Sequence, residues 1–471
     1  MTIFNSIIGT LNTVLWGYIL IFLLIALGAF FTLRSGFAQL RLLKDMIGLI
    51  TAKIPSLKDG EKQKKDQLSS FQAFCIAVAS HVGTGNLAGV AIAVAAGGPG
   101  ALFWMWIIAL LGGATSLVEN TLAQVYKVKD TENGGFRGGP AYYMEKALGL
   151  RSLGLIFSII VIVVFGLIFN TVQANTIVAA FEGAFGLSVH KGAIIVTVLT
   201  AIVIFGGLKR IAAVSSTIVP IMSIAYVVVA LFVLIVNIKQ IPGLFMDIVQ
   251  CAMGIKQFAG GALGVVIIQG VKRGLYSNEA GMGSAPNAAA ASNVSHPAKQ
   301  GLMQAFGVFV DTILICSATG FIVLLYPEYA TSGLKGIQLT QAALSHSVGS
   351  WGTMFVTVCI FLFAFSSVIG NYYYGEANLE FLNNSKFLMF GFRLAVVGVV
   401  YVGSIMKLSA VWDMADAFMG IMALINIITI TILSPIAFKV VNDYVKQRRE
   451  GKNPVFKASS IEGLKNTECW D

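Results

Sequence analysis

An all-α polytopic membrane protein is the fold class this sequence predicts, with eleven transmembrane helices. Ten of them form a 5+5 inverted repeat with one broken helix in each half, and one peripheral helix stands at the N-terminus. Three observations carry the prediction. Of 471 residues, 56% are hydrophobic and 11% charged, with a mean hydropathy of +0.81, which is more apolar surface than a soluble chain of this length can bury. Eleven apolar runs reach or approach the roughly 20 residues that a bilayer core demands. Two of those runs are interrupted by small and polar residues at corresponding places.

In chain order the runs are 11–33, 70–96, 101–125, 153–180, 192–207, 212–237, 260–291, 301–326, 351–377, 386–405 and 411–441. The first lacks a basic flank and a cleavage site, so it reads as a retained helix rather than a signal segment. Residues 1–69 hold that helix and the charged loop 53–67, expected on the cytoplasmic side. Residues 70–240 are the first repeat, 241–445 the second, and 446–471 a basic cytoplasmic tail expected to be solvated near lipid headgroups. Block 70–240 starts inside and block 241–445 outside, the parity an inverted repeat requires.

Lys and Arg sort by loop: 25 fall on one set of alternating loops and 5 on the other, leaving Lys272 and Arg273 aside. The rich side is expected to be cytoplasmic, which puts the N-terminus outside and the C-terminus in the cytoplasm of a multi-pass cell-membrane protein. The net charge of +10 therefore marks sidedness in a lipid bilayer and calls for no nucleic acid. Five cysteines without CxxC spacing indicate neither a disulfide frame nor a metal site. No Walker A loop, HExxH or GxSxG is present, so the reading is not an enzyme and needs no organic cofactor.

The first interruption, SHVGTGNLAG at residues 80–89, frees backbone groups that only protein, water or ligand can satisfy in lipid. Gly83 and Gly85 permit the break. Thr84 and Asn86 are polar costs that a helix-packing motif would not need. Half-helix ends offer N–H groups to a carboxylate, and unwound carbonyls are free for a cation. The second interruption adds the aromatic of Tyr276, the hydroxyl of Ser277, the amide of Asn278 and the carboxylate of Glu279. Ser366, Ser367 and Asn371 lie within one span, the last two on one helical face. Gln173 and Asn170 put two amides three residues apart in lipid, for substrate or for another helix. Asp311 is either functional or the partner of Lys272 or Arg273. Glu119, Glu376, Asp413 and Asp416 read as interfacial or structural, and His81 as a hydrogen-bonded residue that leaves proton coupling open.

GGPGALFWMWIIALLG at 97–112 closely resembles the signature of the alanine or glycine:cation symporter family, as do the string at 80–89, GVKRGLYSNEAGMGSAP at 270–286 and SSVIGNYYYGE at 366–376. The resemblance implies a LeuT-type fold and sodium-driven uptake of a small neutral amino acid, with Na+ as coupling ion. It implies that backbone N–H groups near Thr84 and Gly85 hold the substrate carboxylate and that Asn86 sits by the substrate or an ion. It further implies contacts from Gln173, Tyr276 and Asn371, and a cation held by the carbonyls of Ala79 and Val82 with the hydroxyls of Ser366 and Ser367. Asn371 stands where some members carry a large aromatic, which implies a roomier pocket. A glutamine or serine transporter, proton coupling and a passive facilitator are the alternatives, and a monomer is compatible with everything in the sequence.

Overall fold

The structure, a computed structural model, describes residues 2–51, 68–130, 134–206, 208–256 and 262–470. The expected loop 53–67, residues 131–133 and the first two residues of the 260–291 run lie outside the described residues, as do the side chains of Lys209 and Arg210. Among the described residues, seven helices are long and apolar enough to cross a membrane, or nine when each of two bent pairs counts as one span.

The chain begins with α1 (Ile3–Arg34). The first bent pair is α2 (Ser70–His81) with α3 (Gly85–Gly97), at 43°, where the glycines at 83 and 85 predict a break. It is launched by a capping box: Ser69 Oγ accepts from Gln72 N at 3.1 Å while Gln72 Oε1 accepts from Ser69 N at 3.0 Å. Then follow α4 (Gly100–Val125), α5 (Arg151–Phe185) and the sixteen-residue α6 (Val189–Ile204). Next, α7 (Leu208–Val236) turns by 105° into α8 (Ile241–Ala252), a bend that the run 212–237 does not announce.

The 260–291 run becomes α9 (Leu263–Asn278) and the six-residue α10 (Ala285–Ala290). Gly281 and Gly283, at φ +90° and +83°, make the turn between them, conformations that side chains with a Cβ avoid. After it come α11 (Pro297–Leu324), α12 (Ile337–Val348), α13 (Trp351–Leu382), α14 (Lys386–Ile405) and α15 (Leu408–Arg449). α4 packs on α9 and α11, and α5 packs on α13 and α14. Large apolar side chains of α6, α7 and α14, such as Val198, Val228 and Phe387, point outward and are exposed, as a lipid-facing surface requires.

The tail departs from the expected solvated segment. α15 runs on to Arg449, and the chain beyond it folds back across one end of the bundle. Phe456 N donates to Ser295 O at 2.9 Å, Trp470 Nε1 donates to Gln124 O at 2.9 Å, and Lys146 pairs with Glu468 at 2.5 Å. Phe456, Ile461 and Trp470 are buried, three apolar residues that composition hid among the basic ones. Lys127, 1% exposed, donates to Ser292 O at 3.0 Å. Its ammonium lies over the rings of Phe136 and Trp470, at 4.0 and 4.7 Å.

Burial pushes the Lys127 ammonium down from 10.5 to about 7, against a smaller opposing pull from Cys469. The folded protein thus binds fewer protons than the unfolded chain between pH 7 and 10.5, so this residue's burial cost falls and stability rises with pH across that window, by up to roughly 1.4 kcal/mol per unit. The melting temperature of the wild type relative to Lys127→Gln, measured in detergent, is expected to climb from pH 7 to pH 9. A constant difference would remove the lysine from the balance.

Candidate functional site

The two breaks face each other. A Cβ on Gly85 would come within 3.0 Å of Ser277 Cα and 3.1 Å of Tyr276 Cδ1, so only glycine lets the backbones approach this closely. Thr84 Oγ1 reaches Tyr276 Oη at 3.3 Å. Asn86 closes the first break from within: its Oδ1 accepts from Gly83 N at 2.8 Å, and its Nδ2 donates to Asp311 Oδ1 at 2.5 Å. Gln173, from α5, accepts from Thr84 N at 3.1 Å. Asp311 Oδ2 accepts from Ser277 Oγ at 2.7 Å and Thr312 Oγ1 at 2.8 Å, and Thr312 Oγ1 in turn accepts from Asn278 Nδ2 at 3.1 Å. Thr84, Asn86, Gln173, Tyr276, Ser277 and Asn278 are all buried.

A second cluster lies between α2 and α13. The Ser367 hydroxyl sits 2.8 Å from Ala79 O, 3.3 Å from Val82 O and 3.0 Å from Phe363 O. One hydroxyl proton can serve only one of three carbonyls at a time, so the cluster is rich in hard oxygen and suits a small monovalent cation. Ser366 differs from its neighbour: its hydroxyl also donates to Phe363 O of its own helix, at 2.8 Å, but no bond from it to α2 is seen among the described residues. Asn170 likewise bonds its own helix, at Gly166 O.

Asn371 is buried; its Oδ1 accepts from Ser80 Oγ at 2.8 Å, and its Nδ2 has no partner among the described residues. Ser80 also stands 2.8 Å from Glu279 Oε1. Glu279 Oε2 accepts from Ser284 Oγ at 2.5 Å and lies 3.7 Å from His81 Nε2. Ser80 and Glu279 therefore tie the first break to the second, a role that neither sequence string announces.

Two of the carboxylates read as interfacial or structural, Glu119 and Asp416, are buried and held by partners, which is the structural alternative. Glu119 accepts from Gly281 N at 3.0 Å and from Asn426 Nδ2 at 2.9 Å, and Asn426 Nδ2 also donates to Gly281 O at 3.0 Å. Asp416 pairs with Lys272 at 2.9 Å and Arg273 at 2.6 Å, which takes both cations away from Asp311. The Arg273 guanidinium lies 4.4 Å from the Trp412 ring, and Tyr276 packs between Trp412 and Phe169 with ring centroids 4.7 and 4.8 Å away. These aromatics and charges pack around Tyr276. A carboxylate inside an apolar run is the signal that points to Glu119 and Asp416. Nothing in the sequence names their partners.

A buried polar network between two broken helices, deep in a bundle with an apolar exterior, is the architecture of a secondary transporter. The chain belongs to the sodium:alanine symporter family, whose profile matches residues 1–458. It is 55% identical to the amino-acid carrier protein AlsT of Bacillus subtilis, over 99% of this chain and 98% of that one. It is 50% identical to the probable sodium/glutamine symporter GlnT of the same organism, over 99% and 96%. The fold resembles that of MhsT, crystallised in complex with L-phenylalanine, with a TM-score of 0.51 at 13% identity over 80% of this chain and 99% of that one. The fold is thus that of the LeuT-type transporters.

A Cβ on Gly83 would fall on Ser367 Oγ and 2.9 Å from Gln173 Oε1. Gly83→Ala is expected to abolish uptake, with expression and membrane insertion retained. Uptake within twofold of wild type in a matched expression assay would show that the first break tolerates the methyl group.

Proposed function

We propose that this protein moves alanine or a similar small neutral amino acid into the cell together with sodium, by alternating access across the cytoplasmic membrane. The observation that carries the reading is the Ser367 hydroxyl lying against the Ala79 and Val82 carbonyls of the first break. Sodium is coordinated there by Ala79, Val82 and Ser367, with Ser366 as a weaker candidate because its hydroxyl bonds only its own helix among the described residues. The substrate carboxylate docks on backbone N–H groups around Gly83, Thr84 and Gly85, beside Asn86. Gln173, Tyr276, Ser277, Asn278 and Asn371 line the site.

In this reading the chain crosses the membrane eleven times, as a peripheral helix in 1–69 and two five-helix repeats in 70–240 and 241–445, with 446–471 as the cytoplasmic tail. The N-terminus is outside, and one copy suffices as the transporting unit. One sodium charge falling through 100 mV releases about 2.3 kcal/mol, enough for roughly 50-fold accumulation before any sodium concentration gradient is added.

The test is uptake of labelled alanine into proteoliposomes under an imposed sodium gradient, with potassium on both sides as control. Accumulation above equilibrium that requires sodium is expected, and equilibration without accumulation would make the protein a facilitator. Ser367→Ala is expected to raise the half-saturating sodium concentration at least fivefold, with the ratio of alanine to glutamine uptake held. An unchanged sodium titration would remove Ser367 from the cation site.

A glutamine-carrying reading has one observation in its favour: the Asn371 amide nitrogen, buried and without a partner among the described residues, is a donor suited to a side-chain carbonyl. Asn371→Trp is expected to cut glutamine uptake at least tenfold while alanine uptake stays within threefold. Equal losses for both would place Asn371 outside the substrate's side-chain pocket.

A further inference from the structure

α11 carries two glutamines, Gln300 and Gln304, one turn apart and both fully buried. Neither the oxygen nor the nitrogen of either amide has a hydrogen-bond partner among the described residues. The helix packed beside them, α4, carries Asn120 and Gln124, also one turn apart and fully buried. Their nitrogens are engaged: Asn120 Nδ2 donates to Ser116 O at 2.7 Å, and Gln124 Nε2 donates to Ser292 Oγ at 2.9 Å. Their carbonyl oxygens have no donor among the described residues. Four side-chain carbonyl oxygens are thus buried without a hydrogen to accept, on two helices in direct contact. Gly301, between the glutamines in sequence, packs on Thr121 and on Leu117 O.

Spacing orients the file. Residues 300, 304 and 307 fall within one narrow face of a helix of 3.6 residues per turn, and α11 continues from it as the π-helical segment Phe309–Cys316 that carries Asp311. A Cβ on Gly307 of that face would lie 3.4 Å from Phe74 and Val78 of α2, and Asp311 meets Asn86 of the first break. Eleven residues of helix span roughly 16 Å, about half of a bilayer core. The file therefore runs from the level of the break to the end of the bundle where the tail packs. Burying a polar group unpaired costs free energy that packing does not return, and polar side chains held in membrane spans mark ion and substrate pathways.

A zwitterionic amino acid needs donors for its carboxylate as well as acceptors for its ammonium. The α4 amides have committed their donors, so four free carbonyl oxygens stand against two free amide nitrogens, Gln300 Nε2 and Gln304 Nε2, an excess of acceptors that suits a cation. Resting on the sodium-coupled reading above, we propose that Gln300 and Gln304, with the carbonyl oxygens of Asn120 and Gln124, form a transit site for sodium, through which the ion leaves the break for the cytoplasm between α2, α4 and α11.

The experiment pairs Q300L/Q304L with Q304E in right-side-out proteoliposomes. It measures the initial rate of alanine uptake, its inhibition by sodium on the cytoplasmic side, and sodium-dependent alanine binding at equilibrium in detergent. For Q300L/Q304L the expected result is at least a fivefold loss of uptake rate, with half-saturating sodium for binding within twofold of wild type, because the ion still binds at the break and leaves slowly. For Q304E the expected result is retained uptake that cytoplasmic sodium inhibits at a concentration at least threefold lower, because a carboxylate holds the departing ion longer. Wild-type uptake by Q300L/Q304L overturns the transit site. So does unchanged cytoplasmic inhibition in Q304E, which also decides the matter should the leucine pair fail to fold. If the wild type itself accumulates alanine without sodium, the coupling reading falls and the transit site with it, an outcome distinct from loss in the variants alone.

Discussion

A peptide group released from a helix in the middle of a bilayer has no water to bond, and most of this structure's polar core answers that constraint. At the first break, Gly83 N is satisfied by Asn86 and Thr84 N by Gln173. At the second, both backbone groups of Gly281 are taken by Glu119 and Asn426. Gln173, Glu119 and Asn426 come from α5, α4 and α15. Breaking two helices thus fixes the positions of three intact ones. Removing one partner leaves a released peptide group unpaired, at a cost of about 1–3 kcal/mol in a protein interior.

The same partners join the two breaks into one network. Ser80 links to Glu279, Thr84 to Tyr276, and Asn86 through Asp311 to Ser277. A displacement of α2 is therefore felt at α9 without passing through the apolar packing around them. The packing around Tyr276 has a different character. Asp416 gathers Lys272 and Arg273 on one carboxylate oxygen, and burying such a group is costly unless every charge is matched.

The sequence is legible where the signal is local. A span is a run of apolar residues, and a break is a glycine-rich interruption of one, so residues 80–86 and 274–283 stand out without a structure. Face also follows from spacing, which brings Ser367 and Asn371 toward the breaks. What fails is depth and partnership. Glu119 and Asp416 lie near the ends of their runs, and residue counting cannot show that the bundle closes over them. Asp311 has two equal readings because its partner, Asn86, lies 225 residues away, and no spacing rule reaches that far. The tail is misread because Phe456, Ile461 and Trp470 are too sparse to register as a run, although each finds a buried place. Ser366 and Ser367 look interchangeable in sequence, but successive residues on a helix point about 100° apart, so only one of them faces Ala79.

That single hydroxyl suggests how an ion gradient is turned into movement. Ser367 belongs to α13, and beyond Phe363 O of its own helix the carbonyls it approaches belong to the last turn of α2 and to the residue that ends it. Its proton satisfies one carbonyl at a time and leaves the others in mutual repulsion. A sodium ion at the same place attracts every oxygen at once, so it stabilises the arrangement in which α2 lies against α13 more than any in which the two have separated. A ligand shifts a conformational equilibrium only by its difference in affinity between the states, and here that difference comes from how many oxygens reach the ion together. Because Gly83 and Thr84 follow Val82 directly, drawing α2 onto α13 also sets the backbone N–H groups proposed to hold the substrate. By linkage, substrate held there would tighten sodium by the same factor, which under the proposed reading makes the first break the point where the two gradients meet.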